Sequence, residues 1–151
     1  MAKIALVTND DWGHYIHRRP LARALHREGH EVVFISPSGA YTRHLREEGF
    51  RQIDWRLDRR SLNPLKELLA LRRLASIYRR ERFEVVQHFT IKPIIYGSIA
   101  ALLSGRPKVV NTFTGVSFPF LENGLSARFR PFLRPLIKRL LAGRDTITIF
   151  H

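Results

Sequence analysis

FEVVQHFTIKPIIYGSIAALLSGRPKVVNTF (Phe83–Phe113) carries the pattern that decides the fold. FEVVQH (Phe83–His88) and KVVNTF (Lys108–Phe113) are short apolar runs rich in valine, which read as buried strands. Between them, Pro93–Leu103 is a run of small and aliphatic residues of helical length, stopped by Gly105. Two apolar strands joined by a helix long enough to cross over the sheet make a parallel unit.

The same alternation extends toward both ends. KIALVT (Lys3–Thr8) predicts a first strand that runs into Asn9, Asp10, Asp11 and Gly13, a loop of turn-forming residues. Pro20, Leu21, Ala24 and Leu25 predict an amphipathic helix closed at Gly29, and EVVFIS (Glu31–Ser36) a second strand. A short helix over Tyr41–Glu48 and a weaker third strand over Gln52–Leu57 follow. Asn63 and Pro64 are placed to cap and open the longest helix, which runs to about Arg82 with Leu68, Leu71, Ala75 and Tyr78 as its inward stripe. Beyond Phe113 a basic helix around Pro131–Leu141 precedes a sixth strand, DTITIF (Asp145–Phe150). The fold class predicted is α/β: an open parallel sheet with helices on both faces, a single domain over residues 1–151. In such sheets ligands sit beyond the carboxyl ends of the strands, so the loops after Thr8, His88 and Phe113 are where function is sought.

Charge narrows the partners. Against 13 Asp and Glu stand 26 Lys and Arg, a formal net charge of +13, which favours nucleic acid, an anionic membrane or a phosphorylated substrate. The absence of cysteine excludes disulfides and thiolate metal sites. Acidic residues arrive within ten positions of Met1, too early for a secretory signal, and no apolar run reaches the ~20 residues that span a bilayer, so a soluble or peripheral protein is expected.

VVQHFTIKPIIYGSIAALLSG (Val85–Gly105) with VVNTFTGVSFPF (Val109–Phe120) resembles the N-terminal domain of bacterial family 4 glycosyltransferases, which are retaining GT-B enzymes. VTNDDWGHYIHRRPLARALHREGHEV (Val7–Val32) and LDRRSLNPLKEL (Leu57–Leu68) resemble the opening of the subgroup that extends polyprenyl-diphosphate-linked sugars, so the likeness covers nearly the whole chain. It implies a Rossmann-like acceptor-side domain, a cleft shared with a C-terminal donor domain supplied in cis or in trans, a nucleotide-sugar donor held by that second domain, and a polyprenyl-diphosphate-linked acceptor. It also implies a cytoplasmic, peripheral position on the inner face of the membrane. The acidic E-x7-E signature of the donor domain has no match in residues 1–151, and His151 falls at the end of an apparent strand. Both features lead to the expectation of one half of a larger machine, inactive alone, with pairing through an open sheet edge as a further possibility. No cofactor and no metal are implied.

On that resemblance the site residues are Asp10 and Asp11 for acceptor hydroxyls, His14 beside them, and His88, Thr90 and Lys92 at the fourth strand end. Lys92 would meet the acceptor diphosphate, while His88, Thr90 and Asp11 would meet its sugar hydroxyls. Thr112, Thr114 and Gly115 resemble the loop that approaches the scissile sugar, although many relatives place a histidine there and this chain has none. No catalytic residue is assigned. Plain alternatives stand beside each reading: a capped turn for Asp10 and Asp11, a buried hydrogen-bonded histidine with a solvated lysine for His88 and Lys92, and an ordinary turn after Phe113. The stripe Phe129, Phe132, Leu133, Leu136, Ile137, Leu140 and Leu141 is flanked by Arg130, Arg134, Lys138 and Arg139, which would face an anionic membrane unless the helix packs on the core with its cations in water.

Other classes fit less well. A phosphoacceptor receiver needs a lysine after the fifth strand, and a nicotinamide domain needs a G-x-G-x-x-G turn where only Gly13 stands. A nucleic-acid module has charge but no recognition motif. A non-catalytic subunit of a split glycosyltransferase, docking a separate catalytic half, is the closer alternative.

Overall fold

The computed structural model describes residues 1–58, 60, 61, 63–113, 135, 138, 139, 142, 143 and 145–150. Six parallel strands form one sheet in the order β3-β2-β1-β4-β5-β6: β1 (Lys3–Val7), β2 (Glu31–Ser36), β3 (Arg51–Asp54), β4 (Val85–Phe89), β5 (Lys108–Phe113) and β6 (Thr146–Phe150). The order reverses between β1 and β4, and this switch point opens a crevice at their carboxyl ends.

The helical segments before β5 are α1 (Asp11–Gly13), a π-helical turn (His14–Arg18), α2 (Arg19–Arg27), α3 (Thr42–Glu47), α4 (Pro64–Glu81) and α5 (Ile91–Leu103). They cover both faces, which is why the central strands are continuously apolar. Ile4, Leu6, Val32, Phe34 and Phe89 pack with Ala22 and Leu45 on the face of α2 and α3. Ala5, Val7, Val33, Ile35 and Val86 turn the other way, against Leu74, Tyr78 and Ala100 of α4 and α5. Glu81 ties the lower edge together: its carboxylate receives two bonds from the Arg51 guanidinium, at 2.7 and 2.9 Å, and one from Lys3 at 3.0 Å. These cations hold the Glu81 pKa down to about 2.

The α/β expectation therefore holds, with instructive departures. The loop expected over Asn9–Gly13 is helical from Asp11, where the Asp10 carboxylate caps the Gly13 amide at 2.6 Å. Asn63 caps α4 through Leu65 as its sequence predicts, with Pro64 at the first position. Leu68, however, is 52 % exposed and does not belong to the inward stripe, which runs through Ala70, Leu74, Ala75, Ile77 and Tyr78. The reason is length: 18 helical residues rise about 27 Å, whereas a five-residue strand covers about 17 Å, so the first turns overhang the sheet. The expected stripe from Phe129 to Leu141, Arg130 and Arg134 lie outside the described residues, while Lys138 and Arg139 are helical and exposed.

Candidate functional site

The crevice between β1 and β4 is walled by the β1–α1 turn on one side and by the β4–α5 junction on the other. Most of the polar residues named from sequence prove to hold these walls together. Asp11 is buried, and its Oδ2 accepts from the Tyr41 and Thr42 amides, both at 2.8 Å, and from the Thr42 hydroxyl at 3.0 Å. The carboxylate thus fastens the start of α1 to the start of α3. A side chain at Gly39 would begin 2.6 Å from Asp11 Oδ1, so glycine is required there for close approach.

His14 is fully buried, and its Nε2–H donates to the Ile35 carbonyl at 3.1 Å. Burial pushes its pKa down to about 3 and keeps the ring neutral. Its other nitrogen, Nδ1, has no partner.

His88 lies on the opposite face, under α5. Its Nδ1–H donates to Asn111 Oδ1 at 2.8 Å, and Nε2 accepts from the Tyr78 hydroxyl at 2.9 Å. Asn111 passes the chain on to Ser98 at 3.3 Å. Desolvation lowers the His88 pKa to about 4 and pushes the Tyr78 phenol up, which fixes Tyr78 as the donor. The ring fits only because residue 97 is glycine: a Cβ there would stand 2.1 Å from His88 Nε2.

These positions correct the expected gathering of Asp11 and His88 at one rim. The two are buried on opposite faces of the sheet, and His88 has both nitrogens engaged. Thr112 is buried too, accepting from Gln87 at 3.1 Å. Lys92 reaches neither crevice nor water freely: its ammonium donates to the Asp58 and Ser61 carbonyls at 2.9 and 2.8 Å and pairs with Glu67 at 3.1 Å. The Tyr96 hydroxyl also bonds Glu67. Thr114 and Gly115 lie outside the described residues.

Two features were not read from the sequence. Thr90, the residue before α5, has φ +71° and ψ 158°, a conformation that side chains rarely adopt, and its buried hydroxyl has no partner. Arg18 lays its guanidinium 3.8 Å from the centre of the Phe89 ring, the last residue of β4. Neither leaves a local sequence signal, since one depends on a backbone dihedral and the other on a tertiary contact. Elsewhere on the rim, a groove of about 970 Å³ runs between the end of β3 and α4, bordered by Asp54, Arg56, Asp58, Lys66, Arg72 and Arg73. Among the described residues no group of three or more His, Cys, Asp or Glu could hold a metal, and no helix is long and apolar enough to cross a membrane.

Similarity to known proteins follows this architecture. Over 119 residues, 79 % of this chain, it is 28 % identical to the N,N'-diacetylbacillosaminyl-diphospho-undecaprenol alpha-1,3-N-acetylgalactosaminyltransferase of Campylobacter jejuni, of which the match covers 32 %. The Acinetobacter baumannii MurG structure shares the fold with a TM-score of 0.63 at 18 % identity, over 81 % of this chain and 39 % of that one. A Rickettsia africae glycosyltransferase does so with a TM-score of 0.62 at 19 % identity, over 99 % and 43 %. The chain thus spans less than half the length of each of these relatives. Residues 3–151 match the family described as Glycosyl transferase 4-like, and the chain belongs to that family.

Proposed function

We propose that this chain is the acceptor-side, N-terminal domain of a retaining GT-B glycosyltransferase that moves a sugar from a nucleotide-sugar to a polyprenyl-diphosphate-linked acceptor. The observation that carries this reading is the family match over residues 3–151, joined by a relative whose name specifies sugar transfer to a diphospho-undecaprenol carrier. The reversal of strand order between β1 and β4 supports it, because a switch point is where an α/β sheet presents strand ends and helix starts to a ligand. The nucleotide-sugar is held by a C-terminal domain in cis or in trans. Asp10 and Thr90 border the crevice on its two sides and face the acceptor, while Asp11, His88 and Thr112 shape the walls behind them.

A lipid carrier puts the active enzyme at a membrane, on its inner face. Support comes from α4, whose overhanging turns expose Leu65, Leu68 and Leu69 beside Lys66, Arg72 and Arg73. Exposed leucines flanked by cations suit the interface of an anionic bilayer, each cation contributing about 1 kcal/mol.

The test is transfer by the full-length protein. Labelled UDP-linked hexoses and N-acetylhexosamines are offered with a short polyprenyl-diphosphate-linked monosaccharide, and label is followed into the organic phase. Extension of the lipid-linked sugar is expected with one of the donors, with retention at the anomeric carbon. Hydrolysis or epimerisation of the nucleotide-sugar without transfer would overturn the reading.

A further inference from the structure

We propose that Arg18 and Thr90 together form a phosphate-binding site in the crevice between β1 and β4. Arg18 closes the π-helical turn, and side chains on a helix lean toward its N-terminus, so this long side chain reaches back up toward the carboxyl ends of the strands. There its guanidinium carbon lies over the Phe89 ring, 3.8 Å from the ring centre. Stacking uses the face of a guanidinium and leaves its in-plane N–H groups available, the geometry that takes phosphate oxygens in pairs. Among the described residues no carboxylate pairs with it; its neighbour Arg19, by contrast, is paired with Glu48 at 2.8 Å. The cation is half-buried, and desolvation holds its pKa below its ordinary value.

The residue after Phe89 supplies the second half. Thr90 holds a costly backbone conformation and a buried hydroxyl with no partner, directly before a helix of 13 residues. The Ile91 and Lys92 amides stand at the start of that helix, where backbone N–H groups lack partners within the helix. Three independent features therefore meet around one strand end: a cation with no carboxylate partner among the described residues, an unsatisfied hydroxyl and a helix start. Neutral sugar hydroxyls would leave the charge uncompensated, and a carboxylate would not engage all three. A phosphoryl group satisfies them together. This displaces Lys92 from that role, because its donors are already engaged by Glu67 and two carbonyls.

The inference rests on the proposed function only in taking the substrates to be phosphorylated, and either the acceptor diphosphate or the nucleotide diphosphate could be the source. Hydrogen exchange of the 89–96 segment in the full-length protein tests it, with inorganic pyrophosphate as the probe. Pyrophosphate should slow exchange at Ile91 and Lys92 about tenfold in the wild type. Arg18→Gln should abolish that protection, and Arg18→Lys, which retains the charge but not the planar fork, should keep part of it. Failure of saturating pyrophosphate to protect this segment in the wild type, or protection in Arg18→Gln equal to wild type, would overturn the site. The wild-type arm stands whether or not the variant folds, and exchange in β1 reports folding of each variant. Farnesyl diphosphate and UDP then separate the sources: protection by the first assigns the acceptor diphosphate, protection by the second the donor's, and protection by neither overturns the site as a substrate contact. Pyrophosphate protection without any sugar transfer would leave this site standing while the enzymatic reading fails.

Discussion

Acidification should weaken this domain before any carboxylate with a resolved shift is called on, and the two buried histidines set the size of the effect. His14 and His88 are neutral in the folded chain, with pKa values of about 3 and about 4. In the unfolded chain a histidine titrates near ~6.5. Between those values the unfolded state binds the proton and the folded state does not, so stability rises with pH through the window and is lost as pH falls from about 6.5 toward 4. Each histidine forfeits about 2 kcal/mol between pH 7 and pH 5, and the pair about 4 kcal/mol. That is a large share of the 5–15 kcal/mol typical of a domain. Glu81, held near 2 by Arg51 and Lys3, adds its own loss only below about 4.5, as its carboxylate protonates first in the unfolded chain.

Urea unfolding at pH 7 and pH 5 reads this directly, with the buried Trp55 as a fluorescent reporter of the core. His88→Gln keeps an amide that can both donate and accept but cannot take up the proton, so it should roughly halve the pH dependence even if it lowers stability throughout. A loss below 1 kcal/mol between pH 7 and pH 5, or a slope that ignores His88→Gln, would refute the assignment of both rings as buried and neutral.

Gly97→Ala should lower Tm by about 10 °C in a thermal melt: crowding the His88 ring and breaking its bond to Tyr78 costs about 3–5 kcal/mol, against about 1 kcal/mol gained in helix propensity. A melting point unchanged within 2 °C would mean that the ring has room to move. Asp11→Ala should cost about 2–4 kcal/mol in urea, since it leaves the Tyr41 and Thr42 amides without their acceptor, and Asp11→Asn should recover part of the loss. Lys92→Met should hasten proteolytic cleavage within residues 58–63 by releasing the Asp58 and Ser61 carbonyls, and an unchanged cleavage rate would show that Lys92 does not fasten that segment.

The sheet was legible because it follows from local rules. KIALVT, EVVFIS and KVVNTF are apolar without interruption since both faces are covered, and Asn63-Pro64 announces the start of α4 by cap chemistry alone. The candidate site was less legible for two physical reasons. A polar residue at a strand end has two possible employments, binding a ligand or satisfying the chain, and its identity does not tell them apart. His88 went to the second because Gly97 lets α5 lie against its ring, and Asp11 because Gly39 lets the α3 start come close. Conversely, Arg18 sits among other arginines and histidines in HRRPLARALHR, where the sequence offers nothing to single it out. Its distinction is that a π-helical turn aims it at Phe89, a contact across 71 positions.

Arg18 and Lys92 differ in which of their donors the fold has already engaged. For Lys92 to meet a diphosphate it must leave Glu67 and two carbonyls, and hydrogen bonds to a charged group contribute about 1.5–3 kcal/mol each. Even discounted for partial exposure, that cost offsets much of what a phosphate contact returns, and it would leave Glu67 facing the same anion. Among the described residues Arg18 has no ion pair to break, and the conformational cost at Thr90 is already met before any ligand binds. Preorganised, unsatisfied donors therefore outweigh a lysine of the right charge whose donors are already engaged, because affinity is set by the difference between bound and free states.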